Sequence, residues 1–331
     1  MKENTKKPRR ESTEAQADAF LPLLLSAVCM GIAFFMLLVN KFVYKFGGEI
    51  IFPIIAQVLI LLIPLYLCLL LTDPQKKCAE QLKGLGISRL GADYIFFMIF
   101  SALLLISTSF LVNVIFWGVY PISEGFTLMG IFTAGVGEYT VAYPYLLVVY
   151  AIFPAIIEEL LFRGMLYKLF SQIGENVAIV LSVSISALFS FSLVGLPAAI
   201  LCSVTYCFVR KTTGSLQASM IVHFIFNLYG IFVQTNVAKY FISSSNTLLL
   251  IVVVLIVWLI SSTLFFTESA KIYKVKAEKI SSGEATSTWE PFKMSAVLKK
   301  LKDIFSNRAN IICASVLVAF YAAITVIGYL F

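Results

Sequence analysis

Apolar residues fall in long unbroken runs, and the polar residues gather in short caps between them. Nine runs read as candidate membrane spans, at roughly 20–42, 50–72, 93–117, 142–166, 176–194, 196–209, 215–234, 247–267 and 309–331. A helix needs about 20 largely apolar residues to cross a hydrocarbon core about 30 Å thick. Inside lipid a helix satisfies all of its own backbone hydrogen bonds. The pattern therefore predicts an all-α, polytopic transmembrane helix bundle with about nine spans. The run at 196–209 is short and is expected to be tilted or partly re-entrant. Residues 120–141 read as a loop or an interfacial element, and residues 1–19 as a polar tail without fixed structure. No small-x-small cleavage site follows the tail, so the first run is expected to stay as an uncleaved helix.

Composition agrees with this pattern: 60% of the 331 residues are hydrophobic and 13% are charged, with a mean hydropathy of +0.93. The net charge of +7 matters through its placement. With the N-terminus cytoplasmic, lysines and arginines divide 21 to three in favour of inside segments, leaving Arg163 within a span. Such asymmetry sets orientation. It predicts an integral multi-pass protein, in the plasma membrane, with a cytoplasmic tail at 1–19 and the C-terminus outside. Basic residues confined to caps are not a nucleic-acid surface. The loop at 268–308 reads as a solvated positive-inside segment. Its piece "AVLKKLKDIF" has a second reading, a basic amphipathic helix on anionic lipid. Six cysteines show no disulfide or zinc spacing, and the single histidine excludes a His-rich metal site. No metal and no cofactor are expected. Tyr143, Tyr145 and Tyr150 fit an interfacial belt, and the serines from Ser182 to Ser192 fit close helix packing.

The chemistry lies in "IIEELLFRG", at Ile156–Gly164. A charge at the centre of a membrane helix costs about 2.5–3.5 kcal/mol on insertion scales, so Glu158, Glu159 and Arg163 must face protein or a water-filled cavity. Glu159 and Arg163 are four apart and share a helix face. Glu158 is turned about 100° away. One carboxylate is thus neutralised and the other is left free. Pro154, four residues before Glu158, is expected to open the helix locally. The only histidine, His223, has Asn227 one turn later. Two such donors can serve one oxyanion. Glu158 lies about 15 Å of helix from Lys168 and His223 about 18 Å from Lys211, so the two pairs are expected to meet at one depth, reached from the cytoplasm.

"EELLFR" and "HFIFN" resemble the EExxxR and HxxxN motifs of the CPBP family, the CAAX-protease and bacteriocin-processing intramembrane proteases. The "TGSL" before the His helix is similar to that family's turn. The resemblance covers about residues 142–232 and implies a catalytic core there, flanked by transmembrane helices at 20–141, a helix at 233–267, the loop at 268–308 and a last span at 309–331. It implies peptide-bond hydrolysis by water activated at Glu158, with Glu159 and Arg163 as a structural ion pair and His223 and Asn227 as oxyanion stabilisers, without metal. The implied substrate is a membrane-associated peptide or protein, such as a CAAX tail or a bacteriocin precursor. One departure stands out. The family's second motif is FxxxH, and Phe189 fits its first position, but Leu193 stands where the histidine belongs.

Three other readings remain beside protease activity. The charges at 158, 159 and 163 with His223 and Asn227 can form an ion-paired packing knot between helices. The chain can be a catalytically impaired relative that serves as a membrane scaffold or bacteriocin-immunity protein, which Leu193 motivates. Buried charges also suit a proton- or ion-coupled transporter, though no inverted repeat is visible.

Overall fold

A computed structural model describes residues 7–44, 50–72, 75–76, 78–87, 90–117, 143–193, 195–234, 247–282 and 292–330. The elements are α1 (Lys7–Tyr44), α2 (Phe52–Thr72), α3 (Cys78–Lys83), α4 (Ile95–Trp117), α5 (Pro144–Ser171), α6 (Glu175–Leu188), α7 (Leu196–Thr213), α8 (Leu216–Leu228), α9 (Thr247–Ser281), α10 (Met294–Ile304) and α11 (Arg308–Leu330). Strands are absent among the described residues, and the fold is an all-α bundle. The segment 120–141 lies outside them.

Six stretches, not nine, are long and apolar enough to cross a membrane among the described residues: Asp18–Asn40, Phe52–Thr72, Ala92–Val112, Pro144–Ser171, Leu248–Ser281 and Arg308–Ile327. The other three expected spans are helices of another kind. The apolar helices Glu175–Leu188 and Leu216–Ile231 are short, and fourteen residues rise only about 21 Å. α7 is of full length but carries the serine, threonine and basic residues that lower its hydropathy. These three helices pack against one another and against their neighbours.

The element bounds also differ from the sequence pattern at both polar segments. α1 starts at Lys7, so most of the expected tail is helical. α9 continues to Ser281, well into the expected loop, and α10 is a helix. Val297 and Ile304 on α10 are buried, and Leu301 packs against the main core. That face lies on α1 and α6. The amphipathic pattern thus covers protein, while Met294 and Leu298 remain exposed.

Two apolar clusters fill the bundle. The larger one joins α1, α2, α5, α6, α10 and α11. Within it Phe34 of α1 meets Phe320 of α11 at 5.4 Å between ring centroids. The smaller cluster joins α4, α7, α8 and α9, with Phe97 stacked on Phe265 at 5.4 Å and Trp258 Nε1 donating to Thr108 Oγ1. The segment 144–228 bridges the two, because α5 and α6 belong mainly to the first cluster and α7 and α8 to the second.

Four of the basic residues assigned to inside segments tie neighbouring helices together. Arg210 Nη2 donates to Leu85 O at 3.2 Å and its guanidinium lies over the Tyr167 ring. Lys211 pairs with Glu175 at 3.3 Å. Lys276 donates to Thr212 O, and Lys300 to Ile173 O. Lys276 and Lys300 each cap a carbonyl at or just past a helix end, where unpaired carbonyls and the helix dipole favour a cation.

Candidate functional site

α5 is not a uniform helix. Wide π-helical turns at Leu147–Ile152 and Leu160–Leu166 flank an α-helical segment, Phe153–Glu159. Pro154 has no N–H for the carbonyl of Tyr150, and the wide turn ends just before it, which absorbs the missing bond. The same pairing recurs in α2, where Pro64 follows the wide turn Val58–Leu62. The two glutamates therefore sit on a short ordered segment between two loosened ones.

Glu159 is the held carboxylate. It is fully buried, and its Oε1 accepts from Arg163 Nη1 at 3.0 Å. The same oxygen lies 3.1 Å from His223 Nδ1. Arg163, 1% exposed, has its guanidinium carbon 5.1 Å from the Tyr206 ring centroid and 5.8 Å from that of Phe162. Glu158 is the freer carboxylate. Its side chain is 14% exposed, its Oε2 is 3.9 Å from His223 Nε2, and its Oε1 has no hydrogen-bond partner among the described residues. At 3.9 Å the Glu158–His223 approach is an ion-pair distance and too long for a hydrogen bond.

α8 brings in His223 and Asn227, both buried. The αL turn at Gly214, φ 72°, ends α7 by taking an N–H to Arg210 O at 2.8 Å, and no atom stands within 4 Å of where a Cβ would be. It is the glycine of "TGSL", placed as a C′ residue. Asn227 Nδ2 donates to Ala151 O at 3.4 Å, inside the first wide turn of α5, and its Oδ1 has no partner. The five residues singled out in the sequence, Glu158, Glu159, Arg163, His223 and Asn227, are thus brought to one locus on two helices.

Glu158, Arg163, His223 and Asn227 line a cavity of about 30 Å³ together with side chains from α6 and α7. A volume of that size has room for about two waters. Ser186 and Ser190 of the α6 end line it, and Ser186 Oγ is 2.7 Å from Ser203 Oγ of α7. Leu193 does not. α6 ends at Leu188, through three successive i→i−3 backbone bonds from Phe189, Ser190 and Phe191, and Phe191 turns the chain with φ 50°. Leu193 lies beyond that turn, 58% exposed. The span expected at 176–194 therefore stops short, and Phe189 and Leu193 do not share a helix. Phe189 does face the site, packed edge-on against Phe162 at 5.1 Å.

Tyr206 went unread in the sequence. It is 3% exposed, lines the cavity, and stacks on His223 with centroids 4.6 Å apart and planes 18° apart. The available signal was the stripe Ala199, Cys202, Ser203, Tyr206 at helical spacing, small residues ending in one polar aromatic. Among the described residues no group of three or more His, Cys, Asp or Glu side chains is arranged to hold a metal ion.

Residues 140–229 match the family model described as type II CAAX prenyl endopeptidase Rce1-like. No curated protein and no solved structure matches the chain. The matched segment runs from the start of α5 to the end of α8, and so takes in the glutamate helix, the cavity and the histidine helix together. Six membrane-length apolar helices and this match make the chain an integral multi-pass membrane protein. Over residues 140–229 the chain is similar to the Rce1-like CAAX-protease family, a likeness carried by its EELLFR and HFIFN motifs.

Proposed function

We propose that this protein is an intramembrane endopeptidase that hydrolyses a peptide bond of a membrane-associated peptide or protein, with Glu158 as the general base. The observation that carries the reading is the division of labour between two adjacent carboxylates. Each keeps one oxygen without a partner among the described residues, but Glu159 is fully buried with its other oxygen taken by Arg163 and His223, while Glu158 lines a water-sized polar cavity.

Proton counting fits this role. Because Glu159 is ion-paired with Arg163, His223 Nδ1 carries a hydrogen and donates it to Glu159. One further proton makes the set of Glu158, Glu159, Arg163 and His223 electrically neutral. That proton resides on His223 Nε2 or on Glu158. With it on His223, Glu158 is a free base facing an imidazolium. Water then adds its oxygen to the scissile carbonyl carbon and gives a proton to Glu158, and the carbonyl π pair moves onto oxygen. The Nε2–H of His223 and the Asn227 amide stabilise that oxyanion. Collapse breaks the C–N bond, and the proton on Glu158 passes to the leaving amine.

The test is cleavage of a membrane peptide in proteoliposomes by the wild-type chain and by Glu158→Gln. General-base catalysis contributes about 10²–10⁴ in rate, so the variant is expected to lose at least a hundredfold. Equal cleavage by the two proteins removes Glu158 from the mechanism. A second reading, an impaired relative that works as a membrane scaffold, draws on Leu193, which supplies no imidazole and lies away from the cavity. Absence of wild-type cleavage across a panel of prenylated and unprenylated peptides favours it. The transporter reading predicts pH-driven flux in the same vesicles.

A further inference from the structure

Of the oxyanion donors carried by the motifs, Asn227 donates to a backbone carbonyl in the resting site and His223 Nδ1 is held by Glu159. Both ring nitrogens of His223 face carboxylates, Nδ1 at 3.1 Å from Glu159 and Nε2 at 3.9 Å from Glu158. The amide nitrogen of Asn227 is turned to Ala151 O. Tyr206 also lines the cavity. The Tyr206 hydroxyl is buried, and it has no hydrogen-bond partner among the described residues.

A buried phenol without a partner is unfavourable, and native proteins seldom leave one. Here the ring is firmly held. It stacks on His223, whose other nitrogen is fixed by Glu159, and the Arg163 guanidinium lies over the ring 5.1 Å from its centroid. Arg163 is fixed in turn by Glu159. A neutral hydroxyl on a locked ring, in a water-poor site, is a preorganised donor for charge that appears only during reaction. Unlike His223, it contributes no proton to the charge balance of the glutamates.

Resting on the protease reading, we infer that the Tyr206 hydroxyl is a catalytic residue of this site, an oxyanion hydrogen-bond donor that joins His223 and Asn227 at the tetrahedral intermediate. The step adds no proton transfer. The oxygen that receives the carbonyl π pair accepts the Tyr206 O–H as a hydrogen bond and releases it when the C–N bond breaks.

The test is Tyr206→Phe in the full chain in proteoliposomes, beside wild type and Glu158→Gln, with kcat, KM and the thermal midpoint measured on each. The ring, its stacking on His223 and its contact with Arg163 survive the change. Loss of one oxyanion donor lowers kcat by about 10²–10³, with KM within twofold. The midpoint is expected to hold or rise, since the resting hydroxyl has no hydrogen-bond partner among the described residues. A kcat within twofold of wild type overturns the assignment, and so does a fall in kcat accompanied by a lower midpoint, which marks a packing role. If wild type cleaves, Glu158→Gln does not, and Tyr206→Phe cleaves normally, the Tyr206 inference fails alone. If wild type cleaves no peptide of the panel, it fails together with the protease reading.

Discussion

Arg163→Met tests the charge frame directly. Arg163 and Glu159 are both sealed from solvent and meet at 3.0 Å. Two unit charges about 4 Å apart attract by about 4 kcal/mol at an effective dielectric near 20. Removing one member of a buried pair costs about 3–5 kcal/mol, because the partner charge stays behind uncompensated. The methionine keeps an apolar stem between the Phe162 and Tyr206 rings, so packing changes little. Glu159→Gln alone strands the arginine and is expected to cost a similar amount. Glu159→Gln/Arg163→Met removes both charges, keeps an acceptor for His223 Nδ1, and is expected to recover most of the loss. Stabilities come from reversible denaturant unfolding in mixed micelles, closed as a double-mutant cycle. A coupling of about 2 kcal/mol or more is expected. If the two single losses add within about 0.5 kcal/mol, as independent sites do, Glu159 and Arg163 are not a structural unit and the division of labour between the glutamates falls.

Two further outcomes follow from the positions of α6 and α10. Leu193→His is expected to change the cleavage rate by less than about twofold in the assay used for Glu158, because the side chain lies past the Phe191 turn and is 58% exposed; a gain of tenfold or more means that the chain continues into the cavity there. Ile304→Asp places a carboxylate at a fully buried site on α10, at a cost of about 2 kcal/mol or more, and is expected to release α10 from α1 and α6. Limited trypsinolysis then cuts faster at Lys299, Lys300 and Lys302, while unchanged cutting shows that the helix is held in another way.

Much of the site was legible in the sequence because membrane depth makes polar residues conspicuous. Three charges and one histidine in apolar runs have few places to go, and simple helical spacing predicted that Glu159 meets Arg163 and that Glu158 reaches the level of His223. The rest was hidden for physical reasons. α6 ends at Leu188, where no proline or glycine precedes the turn, and Phe191 takes a positive φ that its residue type does not announce. The helical start at Lys7 is polar on every side and has no apolar period to read. Nine apolar runs became six membrane-length stretches because hydropathy measures burial in anything apolar, and protein serves α6 and α8 as well as lipid does.

The same cluster explains why such a site is tolerable in a bilayer. Glu158, Glu159 and Arg163 alone carry one net negative charge, a costly cargo at membrane depth. A proton shared between Glu158 and His223 brings the sum to zero without binding any ion. On the protease reading, that proton on His223 leaves Glu158 as the base. His223 Nε2 stops 3.9 Å short of Glu158 Oε2, and Glu158 Oε1 has no partner among the described residues. That gap, beside a cavity with room for about two waters, is what the protease reading needs for water activation.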